Sequence, residues 1–154
     1  MQFTLSLPPP PTHQAALRIL KTRDGRQFIG KMARSNAVKW CKAATLLIKA
    51  EANRCGYQMV DQACYVNIRF FYPHTKESKR EATRGGYIVV DKATRPDLDN
   101  LAKGVLDCLV DAEVLKDDGL ICQLNLAKYY SDIEQVTIDI VTYAPDNQSA
   151  QRTK

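Results

Sequence analysis

Residues 95–118 read RPDLDNLAKGVLDCLVDAEVLKDD, from Arg95 to Asp118. Pro96 biases Arg95 toward an extended backbone. Leu98, Leu101, Val105 and Leu109 then recur at helical spacing, which predicts a helix from about Leu98 to Ala112. Val114 to Asp118 form a loop, and Asp118-Gly119 is a turn signal. A helix here, with strand patterns on both sides, sets the fold class.

Downstream, two strands are predicted over about 120–130 and 134–143. Val136, Ile138 and Ile140 alternate in the second. The chain from Pro145 is polar and reads as a frayed tail. Upstream, residues 63–72 alternate, with Cys64, Val66, Ile68, Phe70 and Tyr72 on one face and Tyr65, Asn67, Arg69 and Phe71 on the other. That is a strand, closed by Pro73. Lys76, Lys79, Arg80 and Arg84 follow, then Gly85-Gly86. The segment reads as a mobile basic loop or hairpin tip, either solvated or touching a polyanion. Tyr87 to Val90 suit a short returning strand.

A helix is predicted from about Ser35 to Asn53. Ala37, Trp40, Cys41, Ala44, Leu47 and Ile48 form its apolar stripe, and Lys39, Lys42 and Lys49 form another. Gly56 suits its C-cap. Residues 12–35 read as an irregular basic stretch with a turn at Asp24-Gly25. Residues 2–7 alternate as a strand, and Pro8–Pro11 end it, as a stiff exit or a polyproline segment for a partner. The order β-α-β-(β)-α-β-β predicts an α+β domain of two layers. A small mixed sheet of about four to five strands is backed by two main helices. One domain over 1–145 and a polar tail over 146–154 are expected.

The 154 residues suit one domain with a real core. No stretch approaches the roughly 18 apolar residues of a membrane span. The N-terminus lacks a basic region and a long apolar core, so a cytoplasmic protein is expected. Five cysteines without a C-x-x-C pair argue against a zinc knuckle or disulfide framework. His13 and His74 stand alone, without the pattern of a Ser-His or Cys-His hydrolase. The net charge of +5 hides an asymmetry. Residues 1–96 hold 17 Lys and Arg against 6 Asp and Glu, and residues 97–154 hold 5 against 11. A basic surface for a polyanion and a separate acidic locus follow from that split.

The acidic locus centres on Asp97 and Asp99. Inside a helix, positions i and i+2 diverge. With Asp97 at the N-cap, both carboxylates can converge at the positive helix end. Lys103 lies one turn beyond Asp99, and Asp107 one turn further. The plain alternative is an N-cap aspartate, a dipole-complementing aspartate and an Asp99–Lys103 surface pair. A second pair, Asp117-Asp118, stands in the loop after the same helix. Should that loop return to the helix start, the crowded carboxylates need a cation to offset their repulsion. Carboxylate oxygens without Cys or His favour Mg²⁺ or Mn²⁺ over Zn²⁺. Such an ion activates water and stabilises charge on a phosphodiester, with Lys103 as a compact positive charge beside it.

At these residues the sequence resembles the RusA-like Holliday junction resolvases. The block over 95–118 is similar to the family pattern R-x-D-L-D-N-L-x-K, then an Asp in the helix, then an Asp-Asp pair. Leu7–Pro11 match the family's L-P-x-P-P element. The resemblance implies that Asp97, Asp99 and Asp118 are metal-binding catalytic carboxylates and that Lys103 is the essential lysine. Asp117 and Asn100 take supporting roles. It further implies a homodimer that uses Mg²⁺ or Mn²⁺ and nicks two strands of a four-way junction symmetrically. The chain departs from the family in a longer segment over 73–94 and in Glu113, at a position commonly glycine. Lys76, Lys79, Arg80, Arg84, Arg95, Lys39 and Lys42 are candidate DNA contacts. Two other functions fit the same residues: a non-catalytic nucleic-acid-binding module, and a metal nuclease for another branched or hybrid nucleic acid.

Overall fold

The computed structural model describes residues 2–11, 16–32 and 35–142. The apolar alternation over residues 64–70 and 136–140 places one row of side chains against the helices. Strands β1 (Gln2–Leu5), β4 (Cys64–Pro73), β5 (Val90–Asp91), β6 (Ile121–Ser131) and β7 (Gln135–Thr142) form a five-stranded sheet in the order β1-β7-β4-β6-β5. β4 and β6 run parallel, and the other pairs are antiparallel. Cys64 faces Ile121 at one end of the parallel pair, and Tyr72 faces Tyr130 near the other.

Helices α1 (Ser35–Arg54) and α3 (Leu98–Asp111) pack on one sheet face and against each other. Trp40, Ala44 and Ile48 meet Leu101, Val105 and Leu109 above Val66, Ile68, Phe70, Ile138 and Ile140. This is the expected α+β architecture of a mixed sheet backed by two main helices. Among the described residues no helix is long and apolar enough to cross a membrane. The expected tail over 146–154 and His13 lie outside the described residues.

Four sequence expectations need correction. The stretch expected to be irregular contains an antiparallel hairpin, β2 (Ala16–Lys21) with β3 (Gln27–Met32), around the turn foreseen at Asp24-Gly25. The basic loop is a helix, α2 (Lys76–Gly85). Thr75 caps it through its side chain, which accepts from the Ser78 amide, while the Ser78 hydroxyl accepts from the Thr75 amide. Gly86 ends it at φ 66°, a conformation that glycine adopts without steric cost. Only Ser78 and Ala82 of α2 are buried, so no apolar stripe marked it as a helix. The returning strand shrinks to Val90–Asp91, leaving Tyr87, Ile88 and Val89 exposed. Leu47, assigned to the buried stripe of α1, is 44% exposed.

Glu113 has φ 60°, the backbone region that glycine occupies most readily. A chain with glycine there would adopt this turn without strain. Here the Lys49 amine donates to Glu113 Oε2 at 2.7 Å and holds its carboxyl below the usual range.

Candidate functional site

The segment that carries Asp97 is pinned from below. After β5, the Lys92 amide donates to the Lys128 carbonyl, and the chain then leaves the sheet. The Lys128 amine donates to the carbonyl oxygens of Thr94 and Pro96, at 2.7 and 2.6 Å. The Lys92 amine, 9% exposed as a residue, lies 5.0 and 4.7 Å from the ring centroids of Tyr72 and Tyr130. It donates to Thr94 Oγ1 at 2.6 Å and to the Tyr130 hydroxyl at 3.1 Å. Hydrogen bonding from Thr94, and then from Lys92, lowers the pKa of the Tyr130 phenol. Two lysines thus tie the 92–97 turn to β6, and the Arg95-Pro96 bond within it is cis.

Asp97 occupies the N-cap of α3 with an extended backbone, φ −77° and ψ 144°, yet its side chain makes no cap hydrogen bond. Its carbonyl starts the helix by accepting from Leu101. The capping role that the plain alternative assigned to this carboxylate is therefore unfilled. Asp99, in the first turn, is exposed. Among the described residues no ion pair joins it to Lys103, so the surface-pair alternative is also unfilled. Both carboxylates sit where the helix presents its positive end, which favours negative charge.

The second acidic pair divides. Asp117 accepts from the Gly119 amide at 2.7 Å and caps the short 3₁₀ turn Asp118–Leu120. Asp118 is exposed, and its carboxylate has no such task. The loop was expected to fold back beside the start of α3, and within one chain it does not. Asp97 shares a cleft with Tyr72, near the end of β4. Asp118 opens the short turn Asp118–Leu120 that leads directly into Ile121, which faces Cys64 at the beginning of β4. The run from Cys64 to Tyr72 covers about 26 Å at roughly 3.3 Å per residue. Helix α3 runs back along the parallel pair, so its two flanking acidic segments lie at opposite ends. Among the described residues no three Asp, Glu, His or Cys side chains form a metal-holding group.

The candidate DNA contacts fall on three elements. Lys76, Lys79, Arg80 and Arg84 line one exposed side of α2. Lys79 is also paired with Asp132. Lys39 and Lys42 are exposed on α1, and Arg95 is exposed beside Asp97. Lys92, Lys128, Thr94 and Tyr130 were not singled out from the sequence. Each lysine is one of 22 basic residues, and no motif marks it.

Two comparisons with known proteins bear on this arrangement. A family model described as endodeoxyribonuclease RusA matches residues 7–141. The uncharacterized protein YqaN of Bacillus subtilis (strain 168) is 34% identical over 67 residues, 44% of each chain. The matched part thus spans less than half of that relative's length. The family match begins at the head of the proline run and ends within β7. It takes in the proline segment, the pinned turn, both acidic pairs and every strand but β1. The chain belongs to the RusA endodeoxyribonuclease family.

Proposed function

We propose that the protein is a Mg²⁺-dependent, structure-selective endonuclease that resolves four-way DNA junctions by paired symmetric nicks, as a cytoplasmic homodimer serving recombination and repair. The observation that carries this reading is the pair of exposed, uncommitted carboxylates at the head of α3, within a family of DNA endonucleases. Oxygen donors without nearby sulfur or imidazole suit Mg²⁺, with Mn²⁺ as a substitute. The residues therefore fit the ion by donor chemistry. Within one chain they do not fit it by number, because Asp118 is at the far end.

A second copy supplies a remedy. Beyond β4, β6 is paired among the described residues only at Tyr129 and Tyr130, through β5, so its edge over residues 121–127 has no neighbour in the sheet among those residues. Two copies joined antiparallel along this edge bring Asp118 of one toward the Lys128-pinned turn of the other. Each cation site then takes Asp97 and Asp99 from one protomer and the partner's Asp118, with Asp117 as an auxiliary donor. A two-fold dimer matches the approximate two-fold symmetry of a junction.

The ion, when bound, supplies charge neutralisation and an activated water. Asp97 and Asp99 would hold it, and the strand's phosphate would be kept in register through that charge and not by the carboxylates themselves. Lys103, one turn along α3, sets a compact positive charge beside the phosphate. Lys76, Arg80 and Arg84 recur every four residues, about 6 Å apart along α2, as phosphate contacts. Lys79, Arg95, Lys39 and Lys42 add to the same attraction. Phosphate contacts give affinity, and junction shape gives selectivity.

The test is incubation with a mobile four-way junction beside linear duplex, with Mg²⁺ and with chelator. Paired nicks in the junction alone, lost with chelator, are expected. Asp99→Asn is expected to keep binding and to lose cleavage by at least a hundredfold. Cutting at the full rate by Asp99→Asn refutes the metal assignment.

A further inference from the structure

A cleft of about 460 Å³ opens beside Asp97. Pro9, Pro10 and Pro11 form one wall. That wall is stiff, since each ring fixes its φ and Trp40 Nε1 donates to the Pro8 carbonyl at 2.6 Å. The Tyr72 side chain lines the cleft, with the Lys92 amine 5.0 Å from its ring centroid. Arg95, Pro96, Asp97 and Asn100 complete the lining. No intramolecular hydrogen bond or ion pair among the described residues occupies the side chains of Arg95 or Asn100, and the Asp97 carboxylate makes no cap bond.

The volume falls in the range of clefts that enclose one small ligand, roughly 300–1,000 Å³. Proline rings and a phenol ring offer flat apolar surface, which suits the face of a planar group. An amide and a guanidinium among the lining side chains, each planar, offer donors and an acceptor, which suits the edge of a base. A phosphate placed here would be repelled by the Asp97 carboxylate, whereas a neutral base would not. Bases in continuous duplex are stacked and unavailable, and one at a branch point is more easily unstacked.

We propose that this cleft is a base-reading subsite. It takes one unstacked nucleobase of the strand being cut, next to the phosphodiester at Asp97 and Asp99. Pro9–Pro11 and Tyr72 lie against the faces of the base, and Asn100 and Arg95 lie along its edge. The proposal rests on the nuclease reading above, and it makes the cleft a determinant of where the strand is nicked and of the preference for branched DNA.

The experiment uses the full chain in chelator with immobile four-way junctions. Each junction carries a single 2-aminopurine at one of the positions around the branch point. Binding is followed by gel shift and base unstacking by fluorescence. One position is expected to brighten at least threefold on binding. That signal is expected to fall by half or more in Asn100→Ala and in Tyr72→Leu. Asn100→Ala changes a half-exposed helix residue and keeps the test decisive should Tyr72→Leu fail to fold. With Mg²⁺ and a mobile junction, Asn100→Ala is expected to change the ranking of nicked positions. Junction binding without brightening at any position, or brightening that survives both substitutions, overturns the cleft and leaves the nuclease reading standing. Failure to bind any junction overturns both.

Discussion

Lys128→Met removes the amine that closes the turn beneath Asp97 and keeps most of the side chain's apolar stem. Two hydrogen bonds to backbone carbonyls are lost, at 2.7 and 2.6 Å. A hydrogen bond from a charged donor contributes about 1.5–3 kcal/mol when shielded from water. One of these is exposed and the other half-buried, so water competes for both. The pair together is then expected to contribute about 1.5 kcal/mol, which lowers the melting temperature of a domain this size by about 3–6 °C. The local effect on activity is larger. The carbonyls of Thr94 and Pro96 lose their tether, and the Asp97 carboxylate follows. A displacement on the order of 1 Å at a reacting centre costs up to about a hundredfold in rate. Single-turnover nicking of a four-way junction, measured against Mg²⁺ concentration, is expected to slow about 10- to 100-fold and to need more Mg²⁺ for half its maximal rate. Lys128→Arg, which keeps a charged donor, is expected to recover part of that loss. A Lys128→Met protein with wild-type melting and wild-type Mg²⁺ dependence would show that this amine does not hold the turn. Lower melting with an unchanged Mg²⁺ dependence would reduce Lys128 to a stability contact.

Thr137 is 7% exposed, and its hydroxyl is buried without a hydrogen-bond partner among the described residues. Thr137→Val removes that unmet polar group in a strand that favours branched side chains, so calorimetry should show a gain of about 1 kcal/mol; a lower melting temperature would contradict it. Thiol labelling of the folded protein near pH 8 should modify the exposed Cys55 and Cys122 and spare the buried Cys64 and Cys108 until denaturant is added. Burial pushes the Cys108 thiol from 9.0 up to about 12. Its folded-state value is raised, so its contribution to stability is complete below pH 9.0 and is lost between pH 9.0 and about 12. Cys108→Ala should therefore flatten the alkaline limb of a stability–pH curve, and an unchanged limb would rule out the thiol as its source. On α2, the triple change Lys76→Ala, Arg80→Ala and Arg84→Ala should weaken junction binding and reduce the slope of log affinity against log salt by about 2–3. A slope that does not move would place α2 away from the DNA backbone.

The elements that were legible are those with a repeating apolar face. The alternation of Cys64, Val66, Ile68 and Phe70 is the buried row of β4, and Leu101, Val105 and Leu109 are the buried row of α3. The acidic pairs were legible as residue types at a helix start and in the following loop. Among the features that were not, three have a plain physical reason. Helix α2 is held by its capping box and its charged composition rather than by a buried stripe. Strand β5 has two residues, too few for any period. Lys92 and Lys128 act through partners 38 and 32 positions away, Tyr130 and Pro96.

The local order of this chain alone determined its fold class: alternating rows make strands and a 3.6-residue row makes a helix, while the nuclease expectation came from the resemblance of the Arg95–Asp118 block to the RusA-like family. Those patterns depend on neighbours within a turn or two, so no distant contact is needed to read them. Tertiary structure decided where the carboxylates stand. Because β4 and β6 are parallel and α3 runs back between their ends, Asp97 and Asp99 are carried to one end of the sheet and Asp118 to the other. The direction in which a helix crosses a sheet is settled by contacts between residues far apart in the chain, and local periodicity carries no record of it.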